Sequence, residues 1–267
     1  MKKTVLITGA AGGLGRSLTE VYLARDWKVI GTDIDPPLLK TVRPDSGHWF
    51  IPMDVTSDDS VRSVCDQLKA GKIQLDLIIN NAGVDRYFPL SEAPVNEIKQ
   101  VFEVNFFGGY RVNQIFLPLI RKPGGRIILI SSESLNLTVP FMPYPLSKKA
   151  LEGYAKVLRQ ELGLQGIDVV IVRPGAIRTP LLNHVRNLGP AAGTWQMAAP
   201  FRKFAEEAVK EIGRTISPEQ AAAFIYQVSG IRNPAFLYRI NNMLQLKIAA
   251  LLPFRLMERM VRKRLSD

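Results

Sequence analysis

A glycine-rich turn near the amino terminus constrains the fold of this chain more than any other feature. An apolar run from Thr4 ends at Thr8, and the next residues are Gly9, Ala10, Ala11, Gly12, Gly13, Leu14 and Gly15. Apolar residues then recur at helical spacing. Glycines permit a tight turn and allow a pyrophosphate to approach the backbone at a helix N-terminus. The segment is therefore predicted to be a strand, a dinucleotide-binding turn and a helix.

Apolar runs and amphipathic segments continue to alternate along the chain. Further strands are predicted at residues 28–31, 49–53, 75–79, 126–130 and 168–172. Near-continuous apolar strands that alternate with helices are typical of a parallel sheet covered on both faces. We therefore predict an α/β protein with a single Rossmann-type domain, a doubly wound parallel sheet with helices on both faces.

The composition fits one large hydrophobic core. The 267 residues are 46% apolar and 22% charged, and no Ser/Gly-rich linker or internal repeat divides them. Cys65 is the single cysteine, which excludes a disulfide scaffold. His48 and His184 are the two histidines, and they lack the spacing of metal ligands, so no metal site is predicted.

The net charge of +11 favours an anionic partner, which could be a phosphate ligand, a nucleic acid or an acidic lipid. Residues 232–267 carry eight basic residues against two acidic ones. The sequence contains no nucleic-acid-binding motif, so no nucleic acid partner is expected. It also contains no stretch of ~18 uncharged apolar residues that could span a membrane, and we expect a cytoplasmic location.

Asp33 follows the second predicted strand, 18 residues after Gly15. A carboxylate at this place accepts hydrogen bonds from both hydroxyls of an adenosine ribose and repels a 2′-phosphate. No Arg or Lys occurs in residues 10–14 or 32–35 to bind that phosphate. The sequence therefore predicts NAD as the cofactor, with NADP less favoured.

Tyr144 and Lys148 lie four residues apart at the start of a predicted helix, so their side chains share one helical face. A nearby ammonium stabilises the ionised phenol, and we expect it to lower the pKa of Tyr144. Ser131 and Ser132 follow a predicted strand and lie at the carboxyl edge of the sheet, where open α/β folds bind ligands. These groups are predicted to converge on one crevice.

With these motifs the chain resembles the classical short-chain dehydrogenase/reductase family, near its steroid- and retinol-dehydrogenase-like members, over about residues 4–182. The family's glycine turn, Asn-Asn-Ala-Gly sequence, helix asparagine, catalytic serine, Tyr-x-x-x-Lys pair and Pro-Gly sequence all occur in order. The matching residues are Thr8, Gly9, Gly13 and Gly15; Asn80, Asn81, Ala82 and Gly83; Asn105; Ser132; Tyr144 and Lys148; Pro174 and Gly175.

The resemblance implies an alcohol dehydrogenase or ketone reductase that transfers a hydride between nicotinamide and a secondary alcohol or ketone. It makes Tyr144 the general acid or base and Ser132 the group that polarises the substrate oxygen. Lys148 would hold the nicotinamide ribose, and Asn105 would support a proton relay through water. Cofactor contacts are implied at Gly9, Ala11, Gly12, Gly13, Leu14, Gly15, Asp33, Asp54, Val55, Asn81, Ala82, Gly83, Tyr144, Lys148, Pro174, Gly175, Ile177 and Thr179.

The chain departs from the family pattern at two positions. Ser132 lies twelve residues before Tyr144 instead of the more usual thirteen, so Ser131 remains a second candidate for the catalytic serine. Pro145 follows the tyrosine where small residues are commoner, and a proline is tolerated in the first turn of a helix.

Residues 1–230 are predicted to form the dinucleotide-binding and catalytic domain, and about residues 181–215 its substrate lid. The apolar character of this lid favours a lipophilic substrate of steroid, retinoid or fatty type. Its apolar residues are at 181, 182, 185, 195, 197, 201 and 204, and Phe88, Leu137, Phe141 and Met142 are expected to flank the same crevice. Packing of the lid against the rest of the domain explains these apolar residues equally well.

Residues 231–267 are predicted to be a basic amphipathic helical tail, with helical spacing from Ile240 and again from Phe254. Such a tail fits peripheral contact with an anionic membrane, a cover over the substrate site, or pairing with another subunit. The resemblance implies a homodimer or homotetramer. The alternative function is a non-catalytic dinucleotide-binding sensor on the same fold.

Overall fold

The computed structural model describes residues 2–34, 49–136, 138–183, 195–211, 215–241 and 251–265. The strands are β1 (Thr4–Thr8), β2 (Lys28–Asp33), β3 (Trp49–Pro52), β4 (Leu77–Asn80), β5 (Arg126–Ile130), β6 (Asp168–Pro174) and β7 (Leu237–Ile240). The α-helices are α1 (Gly13–Leu23), α2 (Asp58–Ala70), α3 (Val95–Phe102), α4 (Gly109–Phe116), α5 (Tyr144–Gly163), α6 (Pro180–Asn183), α7 (Ala198–Glu211), α8 (Pro218–Gly230) and α9 (Phe254–Leu265). A π-helical segment, Glu103–Gly108, joins α3 to α4.

The strands form one sheet in the order β3-β2-β1-β4-β5-β6-β7, and neighbouring strands run parallel throughout. The order of the strands reverses between β1 and β4. Such a reversal opens a crevice at the carboxyl ends of the strands, where open α/β sheets bind ligands. The predicted doubly wound Rossmann-type sheet is confirmed.

Helices cover both faces of the sheet through two apolar layers. On one face, α1 and α8 contribute Leu18 and Ile225 to the core. On the other face, α2, α4 and α5 contribute Val61, Phe116 and Ala155. All five side chains are fully buried. Apolar burial on both faces explains why the strand sequences are almost continuously apolar instead of alternating.

Side-chain caps fix the starts of two helices. Ser57 caps α2 by accepting a hydrogen bond from the Ser60 amide at 3.2 Å, and two aspartates follow in the first turn. Ser217 and Gln220 form a reciprocal capping box at the start of α8, with Pro218 as its first residue. The capping box therefore supplies partners for two backbone amides at the start of α8.

The carboxyl-terminal segment departs from the sequence prediction. Helical spacing was expected from Ile240, but Ile240 is the last residue of β7, which pairs with β6. A four-residue edge strand is too short to show a period of its own, and its pairing with a distant strand decides its conformation. Residues 242–250 lie outside the described residues. The second predicted helix of the tail is present as α9.

Candidate active site

A single continuous cavity of about 920 Å³ follows the carboxyl edge of the sheet. It begins beside Asp33 and the glycine turn, passes Ser132, Tyr144 and Lys148, and ends against α9. Every residue that the sequence predicts to be catalytic, apart from Asn105, lines this cavity, as do the predicted cofactor contacts. The fold therefore brings together side chains that lie far apart in the sequence.

The glycine turn leaves the start of α1 open to the cavity. Within the described chain no side chain caps this helix at Gly12. Gly9 has a φ of +64°, and a Cβ on Gly15 would lie 1.9 Å from the Gly9 carbonyl oxygen. The close approach therefore requires glycine at both positions. First-turn amides that no side chain caps, at the positive end of a helix dipole, fit the pyrophosphate of a dinucleotide.

The Asp33 carboxylate stands beside this turn at the end of β2. Its Oδ2 accepts a hydrogen bond of 2.9 Å from the Ala11 amide, which ties the turn to the second strand. Asp54 and Val55 line the neighbouring wall of the cavity. The Asp54 carboxylate accepts hydrogen bonds from the amide and hydroxyl of Thr56, both at 2.8 Å. Its side chain therefore organises its own loop as well as facing the cavity.

The Asn-Asn-Ala-Gly sequence connects the end of β4 to the glycine turn through hydrogen bonds. The side-chain amide of Asn81 donates to the carbonyl oxygens of Thr8 and Gly9 at 3.0 and 3.1 Å. The Thr8 hydroxyl accepts from the amides of Asn81 and Ala82, both at 3.1 Å. Asn81, Ala82 and Gly83 line the cavity. The motif therefore holds the turn in the shape that the cavity requires.

Tyr144 is the first residue of α5, and Lys148 follows one turn later. Lys148 is 4% exposed, and its Nζ donates to the Ile130 carbonyl oxygen at 2.9 Å and lies 5.5 Å from the centre of the Tyr144 ring. The Ser132 side chain lies near enough to the Tyr144 hydroxyl to act on its pKa in the lowering direction, against the larger effect of burial. Pro145 occupies the first turn of α5 without interrupting it.

The two candidate serines face different partners. The Ser132 hydroxyl lies 2.9 Å from the Ser134 hydroxyl, and the Ser132 side chain acts to lower the pKa of Tyr144. Ser131 instead donates to the buried Glu152 carboxylate at 2.5 Å, and Arg173 also binds that carboxylate. The geometry therefore favours Ser132 over Ser131 as the partner of the tyrosine.

Asn105 lies in the π-helical segment and is 2% exposed. Its Oδ1 accepts from the Val84 amide at 2.8 Å, and its Nδ2 donates to the Val84 carbonyl at 2.9 Å and to the Ser147 hydroxyl at 3.0 Å. The side chain thus fixes the loop after β4 against α5. A role in a proton relay stays a prediction.

Burial controls the titration of the central pair. It raises the pKa of Tyr144 above the ordinary value of a phenol, and the Asp85 carboxylate adds to this rise. Burial lowers the pKa of Lys148 to about 8, although Asp85 and Glu152 act in the opposite direction. The expectation that Lys148 lowers the pKa of Tyr144 is therefore wrong for the protein alone, because burial and Asp85 dominate.

The sequence analysis missed Asp85. This residue lines the cavity two positions after the Asn-Asn-Ala-Gly sequence. Its Oδ2 accepts a hydrogen bond of 2.8 Å from the Tyr87 hydroxyl, and burial raises the pKa of the carboxyl to about 6. The signal available in the sequence was an acidic residue in a loop at the carboxyl end of a central strand.

The Pro-Gly sequence ends β6 on the opposite side of the cavity. A Cβ on Gly175 would lie 2.1 Å from the Asn241 carbonyl oxygen, because the end of β7 passes directly over it. Ile177 forms a bridge with Ile216. The Thr179 side chain packs against Gly13 of the glycine turn. Pro174, Gly175, Ile177 and Thr179 all line the cavity.

Comparison with known proteins agrees with this geometry. The family model described as short chain dehydrogenase matches residues 3–188, more than half of the chain. The chain belongs to the short-chain dehydrogenase family. The family match covers the glycine turn, Asn105, Ser132, the Tyr144–Lys148 pair and the Pro-Gly sequence, so the resemblance stated from the motifs is confirmed.

Two relatives and one solved structure illustrate the similarity. The chain is 30% identical over 229 residues to an NADPH-dependent 3-dehydrocapnine reductase of Ornithobacterium rhinotracheale, covering 82% of this chain and 80% of that protein. It is 30% identical over 249 residues to a 3-ketodihydrosphingosine reductase of Bacteroides thetaiotaomicron, covering 92% and 90%. A short chain dehydrogenase from Burkholderia cenocepacia in complex with NADP has a TM-score of 0.73 and 26% identity, over 100% of this chain and 98% of that one.

The far end of the cavity of this short-chain dehydrogenase is mostly apolar. Leu181, Leu182 and Phe204 from the predicted lid line it, as does Met142. Behind them, Phe201 and Phe204 pack on Phe141, and Trp195 joins the same cluster. Phe88 and Phe141 were expected to flank the crevice, and both are buried outside its lining. Residues 137 and 185 lie outside the described residues.

The helix α9 closes this apolar end. Val261, Arg264 and Leu265 line the cavity, and Leu265 packs against the phenylalanine cluster. An ion pair of 2.6 Å joins Arg264 to Glu207 of α7. Among the three alternatives for the tail, a cover over the substrate site is the one that these contacts support directly.

The remaining candidate residues lie away from the cavity or outside the described residues. Cys65 is fully buried in α2. His48 and His184 are not among the described residues, which contain no group of three or more His, Cys, Asp or Glu side chains that could hold a metal ion. None of the helices in the described ranges has the length and apolar character needed to cross a membrane.

Proposed function

We propose that this short-chain dehydrogenase is an NAD(H)-dependent oxidoreductase that interconverts a lipophilic secondary alcohol and its ketone. The observation that carries the proposal is the single cavity, which joins the open start of α1 to the Ser132–Tyr144–Lys148 group and then to an apolar wall. A tyrosine, a serine and a lysine that line one cavity between a dinucleotide turn and an apolar pocket support catalysis over a non-catalytic sensor.

The chain's own residues would position the reacting groups and move one proton. A bound nicotinamide supplies the centre that accepts or donates a hydride. The Ser132 hydroxyl would orient the substrate oxygen, and Tyr144 would accept the alcohol proton during oxidation or donate it during reduction. Lys148 would bind the nicotinamide ribose. Gly9 to Gly15 and Asn81 to Gly83 would hold the rest of the dinucleotide, with Asn105 supporting the loop.

The preference for NAD rests on Asp33. A carboxylate at the end of β2, held toward the glycine turn by the Ala11 amide, would repel the 2′-phosphate of NADP. The names of two similar proteins mention NADPH or NADP, so the choice between the two cofactors requires a direct measurement. We expect kcat/KM to be larger with NAD than with NADP, and Asp33→Ser to reduce that difference. A preference for NADP in the wild type would overturn the assignment.

The lipophilic substrate rests on the apolar wall that α6, α7 and α9 provide. Burying apolar substrate surface there contributes about 25 cal/mol per Å² to binding. Two relatives carry names that refer to reductases of 3-dehydrocapnine and 3-ketodihydrosphingosine, and these names are compatible with a ketone substrate. The cavity thus supports a ketone or alcohol with a long or multi-ring apolar part.

The test of this function follows the absorbance of reduced nicotinamide. Wild-type protein and Tyr144→Phe are mixed with NAD or NADP and with steroid, retinoid, aliphatic and sugar alcohols. We expect turnover of a lipophilic alcohol by the wild type, and a loss of about a hundredfold or more in Tyr144→Phe because the proton acceptor is gone. Cofactor binding by Tyr144→Phe, measured by calorimetry, shows that the variant is folded. Turnover of sugar alcohols alone would contradict the apolar-substrate proposal.

We further propose peripheral membrane contact through α9 by a protein located in the cytoplasm. Arg255, Arg259, Arg262 and Lys263 are exposed on the side of α9 that faces away from the cavity, and Leu256 and Met260 are exposed beside them. Basic and apolar groups on one helix fit an anionic lipid surface. Sedimentation with anionic but not with zwitterionic vesicles would support this contact, and no sedimentation with either would overturn it.

Assembly into a homodimer or homotetramer is proposed from the helices beside the cavity. Phe107, Tyr110 and Val157 are about half exposed on the π-helical segment, α4 and α5, which is unusual for neighbouring large apolar side chains. A second copy that buries this patch would explain their exposure. Light scattering of the wild type and of Val157→Glu tests the assignment: an oligomer that the substitution weakens supports it, and a wild-type monomer contradicts it.

A further inference from the structure

Asp85 is an acidic side chain in the cavity that the proposed chemistry does not use. It lies on the loop after β4 and shares the cavity with Ser132, Tyr144 and Lys148. Its Oδ2 accepts the Tyr87 hydroxyl at 2.8 Å. Its Oδ1 is buried and has no hydrogen-bond partner in the described part of the chain. The carboxylate therefore has unused capacity to accept a hydrogen bond in the cavity that it shares with Tyr144 and Lys148.

Neighbouring contacts fix the position of this carboxylate. The preceding residue, Val84, is held through both its amide and its carbonyl by the buried Asn105 side chain. The following tyrosine, Tyr87, packs against Phe204 of the lid, with ring centres 6.2 Å apart. The Asp85 side chain is therefore held between the catalytic helix and the substrate lid. A group held in this way pays little entropy when it binds a ligand.

A buried carboxylate oxygen without a donor is energetically unfavourable. The Tyr87 hydroxyl and the Arg86 amide favour the charged form, but burial still raises the pKa of Asp85 to about 6. Because their charges are opposite, Lys148 acts to lower the pKa of Asp85 and Asp85 acts to raise the pKa of Lys148. Nζ of Lys148 donates its hydrogen bond to the Ile130 carbonyl oxygen. A hydrogen-bond donor on a ligand would supply the partner that Oδ1 lacks in the protein.

We propose that Asp85 determines specificity by selecting substrates that carry a hydrogen-bond donor, a hydroxyl or a protonated amine, close to the reacting carbon. The donor must be close because the loop that carries Asp85 passes beside the Tyr144–Lys148 pair: a Cβ on Gly83 would lie 3.8 Å from Lys148 Nζ, and the Asp85 charge raises the pKa of Tyr144, which would exchange a proton with the reacting oxygen. This inference rests on the proposed function and narrows its substrate class from lipophilic alcohols in general to lipophilic diols and amino alcohols.

Three substrates that differ only at the first carbon test the proposal. They are 2-dodecanol, 1,2-dodecanediol and 1-amino-2-dodecanol, each of which can lose a hydride from its second carbon to NAD and a proton to solvent, giving the ketone. We expect kcat/KM of the wild type to be about tenfold larger for the two donor-bearing substrates, because a hydrogen bond to a charged group contributes about that factor. Equal values for all three would overturn the proposal.

Two substitutions separate charge from hydrogen bonding. Asp85→Asn keeps an acceptor oxygen and removes the charge, so it should lower the preference for the amine more than the preference for the diol. Asp85→Leu should remove both preferences, with an increase in KM and a smaller change in kcat. Arg86→Gln, a change at the exposed neighbour that pairs with Glu97, should keep both preferences. Retention of the wild-type ratios in a folded Asp85→Leu would contradict the assignment.

The same experiment distinguishes this inference from the proposed function. Turnover of 2-dodecanol without any preference overturns the role of Asp85 alone. No turnover of any of the three alcohols, in a protein that binds NAD, overturns the proposed function together with the inference that rests on it. The thermal midpoint of each variant identifies losses that come from unfolding. The comparison of three substrates in the wild type needs no substitution at all.

Discussion

The two ends of the cavity are built in different ways. At the cofactor end, backbone groups and short polar side chains beside the ends of neighbouring strands of the sheet hold one another through hydrogen bonds, as Thr8 does with Asn81 and Ala11 with Asp33. At the substrate end, apolar side chains from the lid, from α9 and from the segment before α5 pack against one another, as Phe141 and Phe204 do. The first end is defined by backbone geometry, and the second by packing.

This difference determines which substitutions each end of the cavity can tolerate. Close backbone contacts have no flexible side chain that could move aside, so an added methyl group at the cofactor end must shift the chain itself. Apolar walls can rearrange around a smaller or larger side chain at a modest cost. Substitutions at the cofactor end should therefore weaken NAD binding, whereas those at the substrate end should change substrate selectivity.

The largest effect is expected for Gly15→Ala. The new Cβ would lie 1.9 Å from the Gly9 carbonyl oxygen, so the glycine turn and the start of α1 must separate. We expect NAD affinity to fall by about tenfold or more, and the free energy of unfolding to fall by about 1–3 kcal/mol. Calorimetric titration with NAD and chemical denaturation measure the two effects.

The matched control for this prediction is Gly153→Ala in α5. No heavy atom lies within 4 Å of the Cβ that this substitution adds, and the position is exposed. Alanine should therefore increase the stability of the helix by about 0.5–1 kcal/mol, without any change in NAD affinity. Equal NAD affinity in the two variants would show that the close contact at Gly15 does not shape the site.

The same contrast explains how much of the protein its sequence predicts. The sheet, the glycine turn and the Tyr144–Lys148 pair follow from short local patterns that have one structural solution. The strand β7 and the position of α9 depend on contacts with distant segments, so their own residues carry little signal. The rise in the pKa of Tyr144 is also non-local, because it results from burial and from Asp85, which belongs to another loop.

A smaller effect, confined to the substrate end, is expected for Phe204→Ala. This side chain is 6% exposed and forms part of both the cavity wall and the aromatic cluster. Losing one aromatic contact should lower kcat/KM for a lipophilic alcohol by about 10–100-fold, since such burial contributes about 1.5–3 kcal/mol. NAD affinity should stay unchanged. Phe254→Ala, which removes a 60% exposed ring, is the control; a similar loss in both variants would contradict the assigned wall.

A change in the pH dependence of catalysis is expected for a substitution at Asp85, where the two ends of the cavity meet. Asp85 raises the pKa of both Tyr144 and Lys148, while Glu152 also raises that of Lys148. Asp85→Asn removes the first of these charges, so both pKa values should fall. Alcohol oxidation requires Tyr144 to accept a proton, and its rate should therefore rise at a lower pH than in the wild type. Profiles of kcat/KM for 2-dodecanol against pH measure the shift, and a shift toward higher pH would contradict this sign.

The smallest effect is expected at the ion pair that connects α9 to α7. The two side chains of Arg264 and Glu207 are 44% and 30% exposed, so solvent screens their attraction and a contribution of about 0.2–1 kcal/mol is expected. Arg264→Met should raise KM for a lipophilic alcohol by about two- to fivefold, because α9 then covers the apolar end less often. NAD affinity should stay the same, since the contacts of α9 within the described residues are chiefly with α7 and the aromatic cluster.

Arg262→Met is the control for that last prediction, because it removes the same charge from the exposed side of α9. An equal rise in KM for both variants would indicate that α9 acts through its overall charge and not through the ion pair. A rise confined to Arg264→Met would show that closure of the substrate end depends on the contacts of the Arg264 side chain. The hydrogen bonds at the cofactor end should stay intact in either variant, because both substitutions are in α9. A change in KM without a change in NAD affinity is what the different construction of the two ends predicts.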